Sequence, residues 1–272
     1  MTTDNGHRSS VSVVIPNYNG QHLLAKNLPA VFAALTAGDE VVIIDDASTD
    51  DSWRWLNKVH ASNGTSLSLL KNDRNLRFAA TCNRGVTAAT HDLIFLLNSD
   101  VSPHADVLTY LVPHFDDTSV FAVGCLEQEQ KNGQRVQGGK NKLWFERGMF
   151  VHSRADNFNS GLTAWVSGGS GMFHKPKWVQ LGGFDEAYAP AYWEDVDLSF
   201  RARAYGWKIL FESKAIVDHN HESTNQDVFG QQKIARMSWK NGQKFVWKNG
   251  MFTQKLLYLI WQPYWWIQWK KI

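Results

Sequence analysis

The chain has 272 residues, 43% hydrophobic and 20% charged, enough to bury a full core and too apolar for wholesale disorder. No apolar run reaches the roughly 20 residues of a membrane-crossing helix, the polar start MTTDNGHRSS suggests no secretory leader, and two cysteines, Cys82 and Cys125, exclude a disulfide framework or a cysteine-based zinc site and suit a reducing compartment. The net charge of +2 hides an asymmetry: residues 228–272 carry eight Lys and Arg and no acid, a balance of +8 against −6 for the remainder, which points to a polyanionic partner, either nucleic acid or an anionic membrane surface.

Val11–Ile15 (VSVVI), Glu40–Asp45 (EVVIID), Ser66–Lys71 (SLSLLK) and Asp92–Leu97 (DLIFLL) read as buried strands. Helical patterns lie between them, at about Gln21–Thr36, Asp50–His60 and Phe78–Thr90. This alternation predicts an α/β domain with a mostly parallel central sheet flanked by helices. Asn132-Gly133 reads as a hairpin turn, and a helix starts near Lys175. Lys208–Phe211 and Ala215–Asp218 read as two further strands. The domain is expected to span residues 1–227, with a basic, Trp-rich helical tail over 228–272.

Ligands of such sheets bind beyond the carboxyl ends of the strands. Three polar clusters stand there: Pro16-Asn17-Tyr18-Asn19-Gly20, Asp45-Asp46-Ala47-Ser48-Thr49-Asp50 and Asn98-Ser99-Asp100. Asp, Asn and Ser also cap helices and build turns, but three clusters at successive strand ends favour a site. Neither GxxxxGK[ST] nor GxGxxG follows the first strand. A nucleotide would then be held through a metal, and Asp100 suits Mn2+ or Mg2+, which take oxygen ligands. Glu194, Asp195 and Asp197 crowd three carboxylates into a helix start, where the helix dipole favours them. That accounts well for Asp197. It accounts less well for Tyr192 and Trp193, whose rings beside an acid would suit a sugar and a general base. His219 and His221 follow a strand and, if extended, share one face. His22, His60, His91, His104 and His114 read as structural.

Seven motifs in order, VSVVIPNYNG, VIIDDASTDDS, NLRFAATCNRG, LLNSD, VSGGSGMF, LGGFDE and YWEDVDLSFR, resemble the inverting glycosyltransferases of family 2 with the GT-A fold, over about Ser10 to Glu222. RFAATCNRG and EDVDLSFR most resemble the branch of rhamnosyltransferases and other bacterial cell-surface polysaccharide enzymes. The resemblance implies transfer of a sugar from a dTDP- or UDP-sugar, first of all dTDP-rhamnose, to a glycan or lipid-linked acceptor, with a divalent cation. It implies that Pro16, Tyr18 and Asn19 line the base and ribose pocket and that Asp46 accepts the pyrimidine imide N–H. Asn75 and Asn83 would border ribose and diphosphate, with Ser99 and Gly169 in the donor loops and Trp193 beside the sugar. Asp100 and His219 would hold the metal, and Asp195, flanked by Glu194, would be the base. Two positions depart from the pattern: Asn98 replaces the first acid of DxD, and Arg77 stands where the family often has glycine. A nucleotide-sugar binding module without turnover and a nucleotidyltransferase are the alternatives from other classes. The complete Glu194-Asp195 pair disfavours the first, and the missing Gly- and Arg-containing loop disfavours the second.

Residues 251–272, MFTQKLLYLIWQPYWWIQWKKI, are interrupted by Gln262-Pro263 and too short in their apolar stretch to span a bilayer. Trp261, Trp265, Trp266, Trp269, Tyr258 and Tyr264 with flanking lysines suit the headgroup boundary better than a phosphate track. Peripheral docking on the inner face of the cell membrane, in the cytoplasm, is therefore expected rather than nucleic-acid binding. Packing of this stretch on the domain's own core is the competing reading.

Overall fold

The computed structural model describes residues 8–63, 67–131, 133–219 and 230–269. The first half runs β1 (Val11–Asn17), α1 (Gln21–Ala34), β2 (Glu40–Asp45), α2 (Ser52–Asn63), β3 (Leu67–Lys71), α3 (Phe78–Ala88) and β4 (Leu93–Leu97). The strands pair in parallel in the order β3-β2-β1-β4. Every residue of β4 and the first five of β1 are buried, because helices cover both faces of the sheet. Side chains alternate between those faces: Val13 and Ile15 join one apolar cluster with Leu24 and Leu28 of α1, and Val14 joins the other with Cys82 and Val86 of α3. Helix α3 comes so close that a Cβ at Gly85 would lie 2.4 Å from Ile44 Cδ1 and 2.6 Å from Val14 Cγ1.

The second half adds β5 (Val101–Pro103), α4 (Val107–Leu111), β6 (Val120–Lys131), β7 (Gln134–Gly138), β8 (Asn141–Glu146), β9 (Met149–Arg154), β10 (Gly161–Leu162), β11 (Ser170–His174), α5 (Lys175–Gln180), α6 (Glu194–Ala204) and β12 (Lys208–His219). The sheet continues from β4 through antiparallel β11 to β6 and then to β12, which lies parallel to β6. β7 pairs antiparallel with β6, Gln134 opposite Lys131, and β8 and β9 form a separate hairpin. The two strands read at 208–211 and 215–218 are one, β12, with a register shift against β6 between Glu212 and Ile216. That irregularity lets a single strand keep its ladder while bending.

The boundary expected at 227/228 and the imidazole of His221 lie outside the described residues. Beyond that stretch come α7 (Gln231–Asn249) and α8 (Phe252–Trp269), and they are unlike each other. Helix α7 is built into a third apolar cluster in which Phe245 and Val246 meet Phe150, Tyr188, Trp193 and Val196. Its Asn241 Nδ2 donates to three carbonyls, those of Tyr188, Ala191 and Tyr192, at 2.7, 3.0 and 3.0 Å. Helix α8 continues through Pro263. Its inner edge meets the body: Tyr258 is buried, Trp265 Nε1 donates to the Arg147 carbonyl at 2.6 Å, and Arg147 donates to Tyr264 Oη at 2.6 Å. Its opposite face leaves Phe252, Leu256, Leu259, Ile260, Trp266 and Ile267 exposed, 75% for Phe252 and 70% for Ile260. The described helices include none long and apolar enough to cross a membrane.

Candidate active site

The ends of β1 and β2 are stitched to each other. Asn17 Nδ2 donates to Asp45 Oδ1 at 3.1 Å, and Asp45 Oδ2 accepts the Ser48 N–H at 3.1 Å. Asn19 lies in the left-handed region at φ 51°, and its Oδ1 accepts from the backbone of Thr49 at 2.7 Å and of Asp50 at 3.3 Å. Asn19 thus secures the loop with its side chain, while Tyr18, 38% exposed, and the partly exposed Pro16 offer surface to a ligand.

Asp46 is buried and organises the next loop. Its Oδ1 accepts from Asn72 Nδ2 at 2.6 Å and Leu76 N at 2.7 Å, and its Oδ2 accepts Arg77 N at 2.9 Å. A carboxylate offers about four acceptor positions, so one on Oδ2 remains for a ligand donor. Asn75 Oδ1 also accepts Arg77 N, at 3.0 Å. These bonds hold Arg77 at φ 74° and ψ 172°, a region that is essentially glycine-only. Glycine would hold this conformation without strain, whereas this chain presents an exposed guanidinium there. Asn83 lines one hollow with Asn75 and Leu76, together with Arg74, Arg84 and Glu186, and it also has a structural role. Its Nδ2 donates to the Phe184 carbonyl and its Oδ1 accepts Phe184 N, both at 2.9 Å, so it clamps α3 to the Gly182–Asp185 turn.

β5 lies antiparallel to β12 with Val101 opposite His219, and this register brings Asp100 to the imidazole. His219 Nε2 lies 3.5 Å from Asp100 Oδ2, both side chains being largely buried. Burial works against a charged imidazole, but the Asp100 carboxylate and the charges of Glu127 and Glu129 outweigh it and raise the His219 pKa. One carboxylate oxygen beside one imidazole nitrogen is a donor pair that fits Mn2+ or Mg2+, with water and phosphate oxygens completing the shell. No cluster of three or more His, Cys, Asp or Glu occurs among the described residues. Ser99 contributes its carbonyl to Asn27 Nδ2 at 2.9 Å, which fixes the turn ahead of Asp100.

Helix α6 begins from two successive left-handed residues, Tyr192 at φ 77° and Trp193 at φ 81°. Such a pair is costly for bulky residues and turns the chain so that Glu194 and Asp195 open the helix. The expectation of a ring facing sugar fails at Trp193, which is 5% exposed. Its ring packs on Phe245 and His152, each at 5.0 Å, and its indole N–H donates to Ser238 Oγ at 3.2 Å. The left-handed turn carries it inward onto α7. Asp197 is fully buried and saturated, accepting from Tyr188 Oη, Arg201 Nε, Lys248 Nζ and Asn249 Nδ2 at 3.1, 2.7, 3.2 and 2.8 Å.

Asp195 is different. It remains partly exposed, accepts Val196 N at 2.8 Å, and receives only a long 3.5 Å contact from Gly168 N. Burial of the carboxyl lifts its pKa; the Val196 and Gly168 N–H groups oppose the shift and the Glu127 charge adds to it. Glu194 is deeper, its Oε2 buried with no hydrogen-bond partner among the described residues. Burial, then the Asp195 charge, holds it well above the ordinary carboxylate range. Gly169 closes the loop: its carbonyl accepts Asn98 N at 2.9 Å, and a Cβ there would stand 2.5 Å from Asn98 Nδ2. A carboxylate with raised proton affinity, reachable from outside, is equipped to take a proton from a hydroxyl near neutral pH.

The sequence reading passed over Asn72 and Glu127. Asn72 Nδ2 bridges Asp46 and Thr81 Oγ1 (3.2 Å), and Glu127 accepts from Ser170 Oγ. Alternation along GCLEQEQ could have flagged Glu127 as the first acid after an apolar strand.

Residues 12–174 match glycosyl transferase family 2. Over 229 residues the chain is 24% identical to the O-antigen chain rhamnosyltransferase RfbN of Salmonella typhimurium, covering 80% of this chain and 69% of that protein. It is 27% identical to a pre-mycofactocin glycosyltransferase of Mycobacterium tuberculosis, covering 81% of this chain and 44% of the relative. Among solved structures, GalNAc-T7 with UDP, GalNAc and Mn2+ superposes with a TM-score of 0.67 at 18% identity, over 80% of this chain and 44% of that one. The mannosyltransferase PcManGT of Pyrobaculum calidifontis, in complex with GDP-Man and Mn2+, superposes at 0.64 with 18% identity, over 86% of this chain and 64% of that one. These likenesses agree with the GT-A type of α/β fold, with its mostly parallel sheet and flanking helices. With more than half its length matched, this chain belongs to glycosyl transferase family 2.

Proposed function

We propose that the chain is an inverting glycosyltransferase that moves a sugar from a dTDP- or UDP-sugar, dTDP-rhamnose first among them, to a glycan or lipid-linked acceptor in cell-surface polysaccharide synthesis. The observation that carries this reading is Asp195: a reachable carboxylate of raised proton affinity, beside the Gly168–Gly169 loop. The acceptor hydroxyl gives its proton to Asp195, its oxygen bonds to the anomeric carbon, and the bond from that carbon to the diphosphate oxygen breaks. Attack and departure on opposite faces invert the anomeric centre, and no second carboxylate is needed as a nucleophile. Asp100 and His219 would hold Mn2+ or Mg2+, which supplies positive charge to the departing diphosphate. Arg77, exposed beside the Asp46 carboxylate that its backbone N–H bonds, suits the same anion. The open acceptor position of Asp46 would take the imide N–H of uracil or thymine, which cytosine lacks.

The exposed face of α8 supports peripheral docking on the inner face of an anionic membrane. Its residues 252, 256, 259, 260, 266 and 267 recur at helical spacing, opposite the inward Tyr258 and Trp265. The contact surface is thus mostly aliphatic, with Phe252 and Trp266, rather than the full set of aromatic residues. No acidic residue follows Val228, which suits anionic lipid. A panel of UDP- and dTDP-sugars with Mn2+ or Mg2+, scored for donor hydrolysis and for thermal protection, tests the reading. Hydrolysis of one preferred donor supports it, and binding without any turnover would leave only a binding module.

A further inference from the structure

A tetrapeptide, Ser167–Ser170, ties three parts of the cleft together. Gly168 N reaches Asp195 Oδ2 at 3.5 Å, the Gly169 carbonyl accepts Asn98 N at 2.9 Å just ahead of Asp100, and Ser170 Oγ donates to Glu127 Oε1. Glu127 sits on β6 opposite Val217 of β12, two residues before His219. Its charge acts on both Asp195 and His219. The carboxylate therefore stands in the field of the base on one side and of the cation-suited pair on the other.

Its own bonding is incomplete. Among the described residues, Ser170 is the one donor to the Glu127 carboxylate, and no Lys or Arg pairs with it. A carboxylate accepts about four hydrogen bonds, and Glu127 Oε2 is not among the buried oxygens left without a partner, so its open positions face solvent or a ligand. Gly138 keeps the second oxygen uncovered, since a Cβ at that position would lie 3.2 Å from Glu127 Oε2. Gly138 has no left-handed backbone that would demand glycine. The open space at Oε2 is thus a consequence of the missing side chain.

We propose that Glu127 is a specificity-determining residue whose carboxylate accepts hydrogen bonds from hydroxyl groups of the transferred sugar. The inference rests on the glycosyltransferase reading, in which the hexose lies between the diphosphate near Asp100 and the acceptor hydroxyl near Asp195. A neutral polyol supplies donors without a competing charge, and Ser170 holds one oxygen so that the other is aimed.

Calorimetry with Mn2+ on the full chain tests this with UDP and dTDP against UDP-glucose and dTDP-rhamnose, for the parent, Glu127→Gln and Ser170→Ala. The expected result is an unchanged affinity of Glu127→Gln for the nucleoside diphosphates and a roughly 10–100-fold loss for the preferred nucleotide sugar, with a smaller loss for Ser170→Ala. An equal loss for nucleoside diphosphate and nucleotide sugar overturns the proposal, because Glu127 would then serve the scaffold. Unchanged binding of both overturns it as well. If the parent binds no nucleotide sugar, the glycosyltransferase reading itself fails, which is a separate outcome.

Discussion

The loops beyond β1 and β2 and the start of α6 solve opposite problems with the same residue types. In the first region, Asp45, Asp46 and Asn19 spend most of their hydrogen-bonding capacity on backbone N–H groups and on Asn17 and Asn72. They build a rigid cradle whose ligand contacts come from what is left over. In the second region, Asp195 has one good bond and Glu194 leaves an oxygen unpartnered, while Asp197, two residues on from Asp195, is saturated by four donors. Saturation marks a carboxylate that holds the fold, and its lack marks one kept for a proton or a ligand. The distinction depends on partners, not on residue type.

The largest structural effect should come from the saturated acid. Asp197→Ala would strand Arg201 and Lys248 beside an apolar cluster, and we expect a loss of about 3 kcal/mol in chemical denaturation. A loss no larger than that of an exposed residue would break the contrast with Asp195. Next is Asp46→Asn, which turns an acceptor into a donor facing donors and should cost about 1–3 kcal/mol. It should also erase any preference for UDP or dTDP over CDP in calorimetry, and a retained preference would remove Asp46 from base recognition. Arg77→Gly should move the other way, adding about 1 kcal/mol of stability by releasing the backbone at φ 74°. It should weaken nucleoside diphosphate binding at the same time.

Proton linkage sharpens the comparison further. Glu194 and Asp195 both have raised pKa values, so above the ordinary carboxylate range the folded chain holds more protons than the unfolded one. Their contribution to stability should therefore fall as pH rises from that range toward neutrality, and Glu194→Gln should flatten that slope. His219, also raised, contributes the same sign around its own titration, since its protonated form is favoured by folding. Burial lowers the His152 and His174 pKa values, which raises stability over the same window of roughly pH 5–7, so the test is the difference between parent and Glu194→Gln, and an identical slope in both would contradict the assignment. The smallest effect on stability is expected at α8. Leu256→Glu with Ile260→Glu should leave melting unchanged while abolishing pelleting with anionic vesicles, and retained pelleting would move the docking surface elsewhere.

The parallel half of the fold was legible because its strands are uninterrupted apolar runs, a pattern that burial on both faces imposes on β1, β2 and β4. The positions proposed for the site were marked in the sequence where a motif meets a strand end, as at Asp46 and Asp100, or a helix start, as at Asp195. The site was not legible where a polar side chain could serve either a ligand or the chain. Trp193 lies in the right motif yet turns under α7, and Asn83, which lines a hollow with Asn75 and Leu76, also closes on Phe184. Only the tertiary partner decides such cases, and neither partner is near in sequence. Glu127 escaped for the converse reason, since one acid entering a polar hairpin looks like an ordinary strand edge until Ser170 and Gly138 are seen around it. The tail divided in a way that composition could not show, with α7 inside the core and α8 half outside it.

The most direct test of the account is Asp195→Asn, which keeps shape and removes the proton acceptor. Donor affinity by calorimetry and turnover on the preferred nucleotide sugar should be measured together on the full chain. We expect donor affinity close to that of the parent and a fall in turnover of roughly 10²–10⁴, the range for loss of a general base. Turnover equal to that of the parent, with donor affinity also unchanged, would show that Asp195 is not the base and that proton transfer occurs elsewhere in the cleft.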